Sequence, residues 1–143
     1  MPFTLPSPDT EYGARVAKRL SEEITVWLTT VDANGVPQPN PVWFLWDGET
    51  ALIYSLNTAA RLKHIAHNPH VSLNFNTDDE GDDLVILTGH IRVALDTPPV
   101  DQHAAYLAKY GARIKDLFSD PADMAKKYSV ALIFEPEKVR GRL

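Results

Sequence analysis

The sequence predicts a mainly β, α+β fold in which six strands form an antiparallel barrel decorated by helices. Six segments of strand length carry alternating or continuous apolar residues. Turn signals such as Asn34-Gly35 and Asp47-Gly48 join neighbouring segments directly. Only two or three segments have helical spacing, and few long crossovers separate the strands, which favours an antiparallel sheet over a parallel one.

The composition is typical of a soluble globular protein. With 143 residues, 44% hydrophobic and 23% charged, we expect one domain over residues 1–143. The absence of cysteine excludes disulfides, zinc–thiolate sites and thiol nucleophiles, and it fits the cytoplasm, where we expect the protein. A net charge of −5 without a basic stripe argues against nucleic acid as a partner. No apolar run is long enough to span a membrane.

A helix and a strand open the chain. Ser7-Pro8-Asp9 predicts a helix start with Pro8 in the first position. This helix extends to about residue 23, with Tyr12, Val16 and Leu20 forming one apolar stripe. Alternating β-branched residues over 24–31 then predict the first strand.

The second predicted strand, residues 36–46, carries prolines at 37, 39 and 41. Because proline has no N–H, this period of two removes every hydrogen-bond donor from one side of the strand. The donors of Gln38, Asn40 and Val42 remain on the other side, and we expect them to pair with residues 24–31. The open side is either a protected edge or a groove for a flat ligand, and the spacing leaves both possibilities open.

The rest of the chain alternates strands and helices. Asp47-Gly48 predicts a hairpin into a third strand over 50–56, so that three strands form a meander. Thr58 is the predicted N-cap of a helix that ends at His67. Further strands are predicted over 70–76, 84–95 and 129–134, and Val139 is a candidate extension of the last one. Gly89 is expected at a bulge or a close backbone approach. Further helices are predicted over 100–110, 114–118 and 121–127, with Val100, Ala104 and Leu107 as the buried face of the first.

The junction between the third strand and the next helix is a candidate phosphate site. It places the hydroxyls of Ser55 and Thr58 beside the cations of Arg61 and Lys63. A solvated basic helix face is the alternative interpretation. Because the third strand is the predicted hairpin partner of the proline-bearing strand, we expect a phosphate ligand to lay a flat ring against residues 40–43.

The remaining groups of residues give weaker predictions about function. His64, His67 and His70 are closely spaced, but the Asn68-Pro69 break separates them, so we expect no metal site. No nucleophile elbow or glycine-rich phosphate loop occurs. The chain has three tryptophans, Trp27, Trp43 and Trp46. They form either an apolar wall for a substrate or part of the hydrophobic core, and for Trp27 the core is favoured.

Several short motifs follow one another in a fixed order. Tyr54-Ser55 ends a strand, Arg61-x-Lys63 follows, and Asn68-Pro69-His70-Val71 leads into another strand. This order resembles the signature of the pyridoxamine-5′-phosphate-oxidase-like split β-barrels, which usually have lysine where this chain has Arg61. The likeness runs from the first helix to the terminal Val139-Arg140-Gly141 and includes residues 40–43, 87–89 and 109–110.

The resemblance implies a flavin-type cofactor at a homodimer interface. Short single-barrel chains look most like the actinobacterial branch that uses the deazaflavin coenzyme F420, and FMN-binding relatives share the phosphate pattern. The implied activity is an F420H2-dependent reductase that transfers hydride to an enone, quinone or tetrapyrrole. An FMN-dependent oxidoreductase and a non-catalytic F420- or FMN-binding protein are the alternatives. We expect no pyridoxine metabolism, because the C-terminal substrate segment of the true oxidases does not follow the last strand.

The resemblance also assigns residues to the cofactor. It implies that Ser55, Arg61 and Lys63 hold the phosphate, with Thr58 as an additional candidate. Tyr54 is a weak candidate for a proton donor, and Asn76 a candidate contact from the partner chain. The ring is expected against one stretch of the second strand: Gln38, Pro39, Asn40, Pro41, Val42 and Trp43.

Overall fold

A computed structural model describes residues 3–143, in which one curled antiparallel sheet of seven strands forms a half-barrel. The mainly β, α+β prediction is confirmed, but the sheet has seven strands instead of six. The strands are β1 Thr25–Val31, β2 Pro37–Trp43, β3 Leu45–Trp46, β4 Ala51–Ser55, β5 His70–Asn74, β6 Leu84–Val93 and β7 Val130–Arg142, in the spatial order β2-β1-β5-β6-β7-β4-β3. The helices are α1 Glu11–Glu22, α2 Arg61–His67, α3 Ala104–Phe118 and α4 Pro121–Lys127.

The additional strand arises because the predicted second strand breaks at Phe44. The backbone N–H of Phe44 donates to the Tyr110 hydroxyl at 2.9 Å, and its carbonyl accepts from Lys109 Nζ at 2.8 Å. Since side chains of α3 satisfy both backbone groups, Phe44 needs no strand partner. β2 therefore pairs with β1 while β3 pairs with β4, and the predicted three-strand meander is wrong.

The proline-bearing strand β2 lies at one edge of the sheet, and in residues 3–143 its only strand neighbour is β1. The N–H of Asp32 donates to the Val36 carbonyl at 3.0 Å. Because hydrogen-bonded pairs alternate in an antiparallel ladder, the backbone N–H groups of Gln38 and Asn40 also point towards β1. The backbone nitrogens of the prolines, which carry no hydrogen, therefore point away from the sheet. The predicted pairing of this strand is confirmed.

Two hydrophobic clusters stabilise the fold, and β4 belongs to both. Ala51 and Ile53 face the barrel core, while Leu52 and Tyr54 face a second cluster beneath α3 and α4. The predicted stripe on α1 is confirmed, since Val16 and Leu20 are buried in the barrel core. The barrel core also contains Val26, Leu28, Phe44, Phe75, Leu87 and Phe134; the second cluster contains Val100, Tyr106, Tyr110, Ile114 and Met124.

Several helices begin or end at residues other than the predicted ones. α1 begins after Thr10, whose side chain accepts from the Gly13 N–H, and not at Pro8. Thr58 does not cap α2, which begins at Arg61 without a side-chain cap. Residues 100–102 form only a 3₁₀ turn, and His103 caps α3, which continues unbroken through 114–118.

Two details of the β-sheet are confirmed. The β6–β7 register shifts at Thr88/Gly89, and a Cβ on Gly89 would lie 2.1 Å from the Glu135 carbonyl oxygen, so Gly89 is both a bulge and a close approach. The last strand continues past Pro136 and includes Val139.

Candidate functional site

A pocket of about 390 Å³ lies where the end of β2 approaches β4, α2 and the helices of the second cluster. It receives Pro41, Val42 and Trp43 from β2 and Tyr54 from β4. Arg61, the first residue of α2, also lines it. The structure therefore brings five of the residues predicted from sequence to one cavity, although β2 and β4 are not neighbours in the sheet.

Arg61 supplies the charged group of this pocket, and Ser55, which does not line it, holds the guanidinium. Nη1 of Arg61 donates to Ser55 Oγ at 3.1 Å, and Ser55 is fully buried. In residues 3–143, Arg61 forms no ion pair with a carboxylate. Burial lowers the pKa of the Arg61 guanidinium, because desolvation disfavours its charged form. A half-buried cation without a counter-charge favours an anionic ligand.

Of the four predicted phosphate residues, Arg61 alone lines this pocket, and Lys63 and Thr58 lie on exposed surface. Lys63 is exposed on α2, and two helical positions place it about 200° around the axis from Arg61. Thr58 is exposed in the turn that precedes α2. Their role in phosphate binding stays a prediction.

Three tyrosines line the pocket: Tyr54, Tyr106 and Tyr128. The Tyr54 hydroxyl donates to the Pro98 carbonyl at 2.5 Å, so its proton is directed at the backbone. Burial, with a smaller effect of Asp101, raises the pKa of Tyr54 to about 12. Tyr106 is fully buried, and its hydroxyl has no hydrogen-bond partner in residues 3–143. Burial raises the pKa of Tyr106 far above its ordinary value, so the hydroxyl stays neutral. An orphan buried hydroxyl that lines a pocket is a group a ligand can satisfy.

The β2 residues divide into those that face the pocket and those that do not. The Trp43 ring stacks on Tyr110, with centroids 4.6 Å apart and planes 6° from parallel. The Gln38 amide donates to the Asp32 carboxylate at 3.1 Å and is held in the turn between β1 and β2. Pro39 and Asn40 are exposed on the sheet edge.

Two tryptophan predictions have different outcomes. Trp27 is 36% exposed, so its predicted place in the core is wrong. Its indole N–H donates to Asn76 Oδ1 at 2.9 Å, which ties Asn76 to its own chain. Trp46 is partly buried against the barrel core.

The three closely spaced histidines of residues 64–70 do not converge. His64 Nδ1 lies 2.8 Å from Thr30 Oγ1 in a hydrogen bond, and His67 is exposed at the end of α2. His70 lies instead beside His90 of β6, with ring centroids 4.3 Å apart.

Sequence reasoning missed the pocket wall that α3 and α4 supply. The predicted buried face of the first of these helices included Ala104, which is exposed. The buried face is Tyr106, Tyr110 and Ile114. The signal was the pair Tyr106 and Tyr110, which are four residues apart and therefore on one helix face. Met124 of α4 completes this wall.

No helix within residues 3–143 is both long and apolar enough to cross a membrane.

Solved structures with the same fold include proteins of different roles. An F420 reductase superposes with a TM-score of 0.65 at 26% identity, covering 85% of this chain and 92% of its own. The conserved hypothetical protein Rv2991 from Mycobacterium tuberculosis gives 0.70 at 18% identity, with coverage of 92% and 82%. The heme storage protein HutZ from Vibrio cholerae gives 0.65 at 14% identity, with coverage of 92% and 95%. The last two establish a shared fold alone.

The curated proteins contain no significant match to this chain. The family model described as pyridoxamine 5′-phosphate oxidase matches residues 13–143, from α1 through β7. That span includes every strand of the sheet and the whole pocket. The chain therefore belongs to the pyridoxamine 5′-phosphate oxidase family.

Proposed function

We propose that this protein is an F420H2-dependent reductase that transfers hydride from the reduced deazaflavin to an electron-poor small molecule of the enone, quinone or tetrapyrrole class. The observation that carries the proposal is Arg61, a half-buried cation bonded to Ser55 in a pocket walled by aromatic rings. The 26% identity to an F420 reductase, over 85% of the chain, favours F420 within the family.

In this proposal the residues of the pocket bind and orient the coenzyme. Arg61 offers charge-assisted hydrogen bonds to a phosphate, and Ser55 Oγ, which accepts from Arg61 and donates to the Leu56 carbonyl, orients the guanidinium. Pro41 and Trp43, which lie on the same face of β2, offer an apolar surface for a flat ring. The Tyr106 hydroxyl offers a neutral hydrogen bond to a polar atom. The bound coenzyme supplies the hydride, while the protein supplies orientation and excludes water.

The functional unit that we propose is a cytoplasmic homodimer with the coenzyme at the interface. We place the partner on the outward face of β2, since no strand of residues 3–143 covers it. The prolines there exclude only a partner that would add as a regular strand. Sedimentation of the chain with and without coenzyme tests the dimer, and a monomer in both states would contradict it.

Titration of the purified chain with F420 and with FMN tests the cofactor, and Trp43 in the pocket wall provides a fluorescence signal. F420H2 oxidation is then followed with acceptors of the three classes. Binding of F420 with turnover supports the proposal. Binding of FMN without F420 would favour an FMN-dependent oxidoreductase, and F420 binding without any turnover would leave a non-catalytic binding protein.

Single substitutions test the phosphate position. We expect Arg61→Ala to weaken F420 binding about 10- to 150-fold, since a hydrogen bond to a charged group contributes roughly 1.5–3 kcal/mol. Lys63→Ala should weaken it less, because Lys63 is exposed and its charge is screened. Arg113→Ala, which removes an exposed arginine of α3, is the control. Unchanged affinity in Arg61→Ala would remove this pocket from the proposal.

A further inference from the structure

Three side chains able to bind a metal converge on the sheet, and none of them lines the pocket described above. They are His70 of β5, His90 of β6 and Glu137 of β7. The imidazole nitrogens and a carboxylate oxygen all lie within 4.8 Å of one another.

The strand register explains this convergence. His70 lies directly opposite His90 in the β5–β6 ladder. The bulge at Thr88/Gly89 leaves Glu137 between Pro136 and Lys138 without a paired residue in β6. A bulge redirects a side chain, and here the Glu137 carboxylate contacts His90 Nδ1. Adjacent strands therefore hold three potential ligands side by side.

We propose that His70, His90 and Glu137 bind a divalent transition-metal ion of the zinc class. Two imidazoles and one carboxylate are a ligand set that zinc uses when it keeps an open position. A tetrahedral zinc holds its ligand atoms roughly 3.4 Å apart. Side-chain rotations that move the ligand atoms by roughly 1 Å would therefore complete the site. This site was not expected from the sequence, where only the spacing of His64, His67 and His70 suggested a metal.

The surroundings leave a metal accessible. The side chains of His90 and Glu137 are 45% and 51% exposed, so binding requires little dehydration of buried groups. A groove of about 430 Å³ beside the cluster is lined by His70, Glu137 and Lys138. The fourth metal position would therefore be open to water or to a small anion. The alternative is a plain His90–Glu137 ion pair without affinity for metals.

Calorimetric titration of the full chain with ZnCl2, after removal of any polyhistidine tag, tests the proposal. It is performed at about pH 7.5, since the ligands must be deprotonated. We expect one zinc ion per chain. His70→Ala, His90→Ala and Glu137→Gln should each weaken binding about tenfold or more. His67→Ala removes an exposed imidazole at the end of α2 and should change nothing.

A second readout separates metal binding from a folding defect. Co²⁺ in place of zinc should give the visible absorption of a four- or five-coordinate site in the wild type and in His67→Ala, and should lose it in His90→Ala. Circular dichroism verifies that each variant is folded. The absence of saturable zinc binding would overturn the proposal, as would an equal effect of His67→Ala and His90→Ala. A Co²⁺ spectrum unchanged by Glu137→Gln would remove Glu137 from the site.

Discussion

Tyr106→Phe should stabilise the protein, although it deletes a buried polar group. The Tyr106 hydroxyl is fully buried and has no hydrogen-bond partner in residues 3–143. Leaving a buried hydroxyl unsatisfied costs about 1–3 kcal/mol, and phenylalanine avoids that cost. The ring keeps its edge-to-face contact with Tyr54, whose centroid is 4.8 Å away. We expect the free energy of unfolding to rise by about 1 kcal/mol and Tm by about 2–4 °C.

Tyr110→Phe is the matched control, one helical turn away on the same face of α3. The Tyr110 hydroxyl accepts from the Phe44 N–H at 2.9 Å and lies 2.7 Å from the Ile24 carbonyl oxygen, to which it can donate. Its removal leaves the buried Phe44 N–H without a partner and the part-buried Ile24 carbonyl without this donor, which should cost about 2 kcal/mol. The same chemical change therefore has opposite signs at two neighbouring positions.

Urea unfolding of the ligand-free protein, followed by circular dichroism, measures both variants. An unchanged dependence on urea would show that the comparison concerns stability and not residual structure. If Tyr106→Phe lowered stability as much as Tyr110→Phe, the Tyr106 hydroxyl would have a partner, and its place as a ligand contact would be lost. Under the proposed function, Tyr106→Phe should also weaken ligand binding while it stabilises the free protein.

Two further substitutions test the sheet and its acid sensitivity. Gly89→Ala should destabilise the protein by about 2–3 kcal/mol or more, because its Cβ would lie 2.1 Å from the Glu135 backbone oxygen. Gly111→Ala is the control, since a Cβ there meets nothing within 4 Å. In thermal unfolding this control should be neutral or stabilising. The Arg15 hydrogen bond lowers the pKa of Asp83 below its ordinary value, so the stabilisation it provides is present above about pH 4 and is lost as the pH falls through the folded pKa. Asp83→Asn should cost at most about 1 kcal/mol near neutral pH and flatten the acid limb of a stability–pH profile, while an unchanged acid limb would contradict this assignment.

The parts of the fold that depend on local sequence could be predicted, and those set by distant side chains could not. The α1 stripe and the Gly89 bulge follow from residue type and spacing, which act within a few positions. The break at Phe44 depends on Lys109 and Tyr110, more than 60 residues further along the chain. No local pattern distinguishes Phe44 from its neighbours, so the division of one predicted strand into β2 and β3 required the structure.

The candidate site likewise has residues that local sequence predicts and residues that depend on distant parts of the chain. Ser55 and Arg61 are six residues apart across one strand–helix junction, and their hydrogen bond could be anticipated from that proximity. Tyr106 was missed because an aromatic residue on an apolar helix face ordinarily belongs to the core. The meeting of His90 with Glu137 depends on the register of β6 and β7 at the bulge, which the sequence does not specify.

The incomplete closure of the sheet explains why the pocket lies where it does. β2 is the first strand in the spatial order and β4 the sixth, yet Pro41 and Tyr54 line one cavity because the sheet curls. One chain segment serves both edges: residues 37–43 pair with β1, residues 45–46 pair with β4, and the Phe44 break connects them across the gap. Because prolines remove the donors from the outer side of β2, another strand cannot easily add there and seal that edge. The gap therefore stays open at the end of β2, where Pro41 and Arg61 line one cavity, while Pro37 and Pro39 lie outside it.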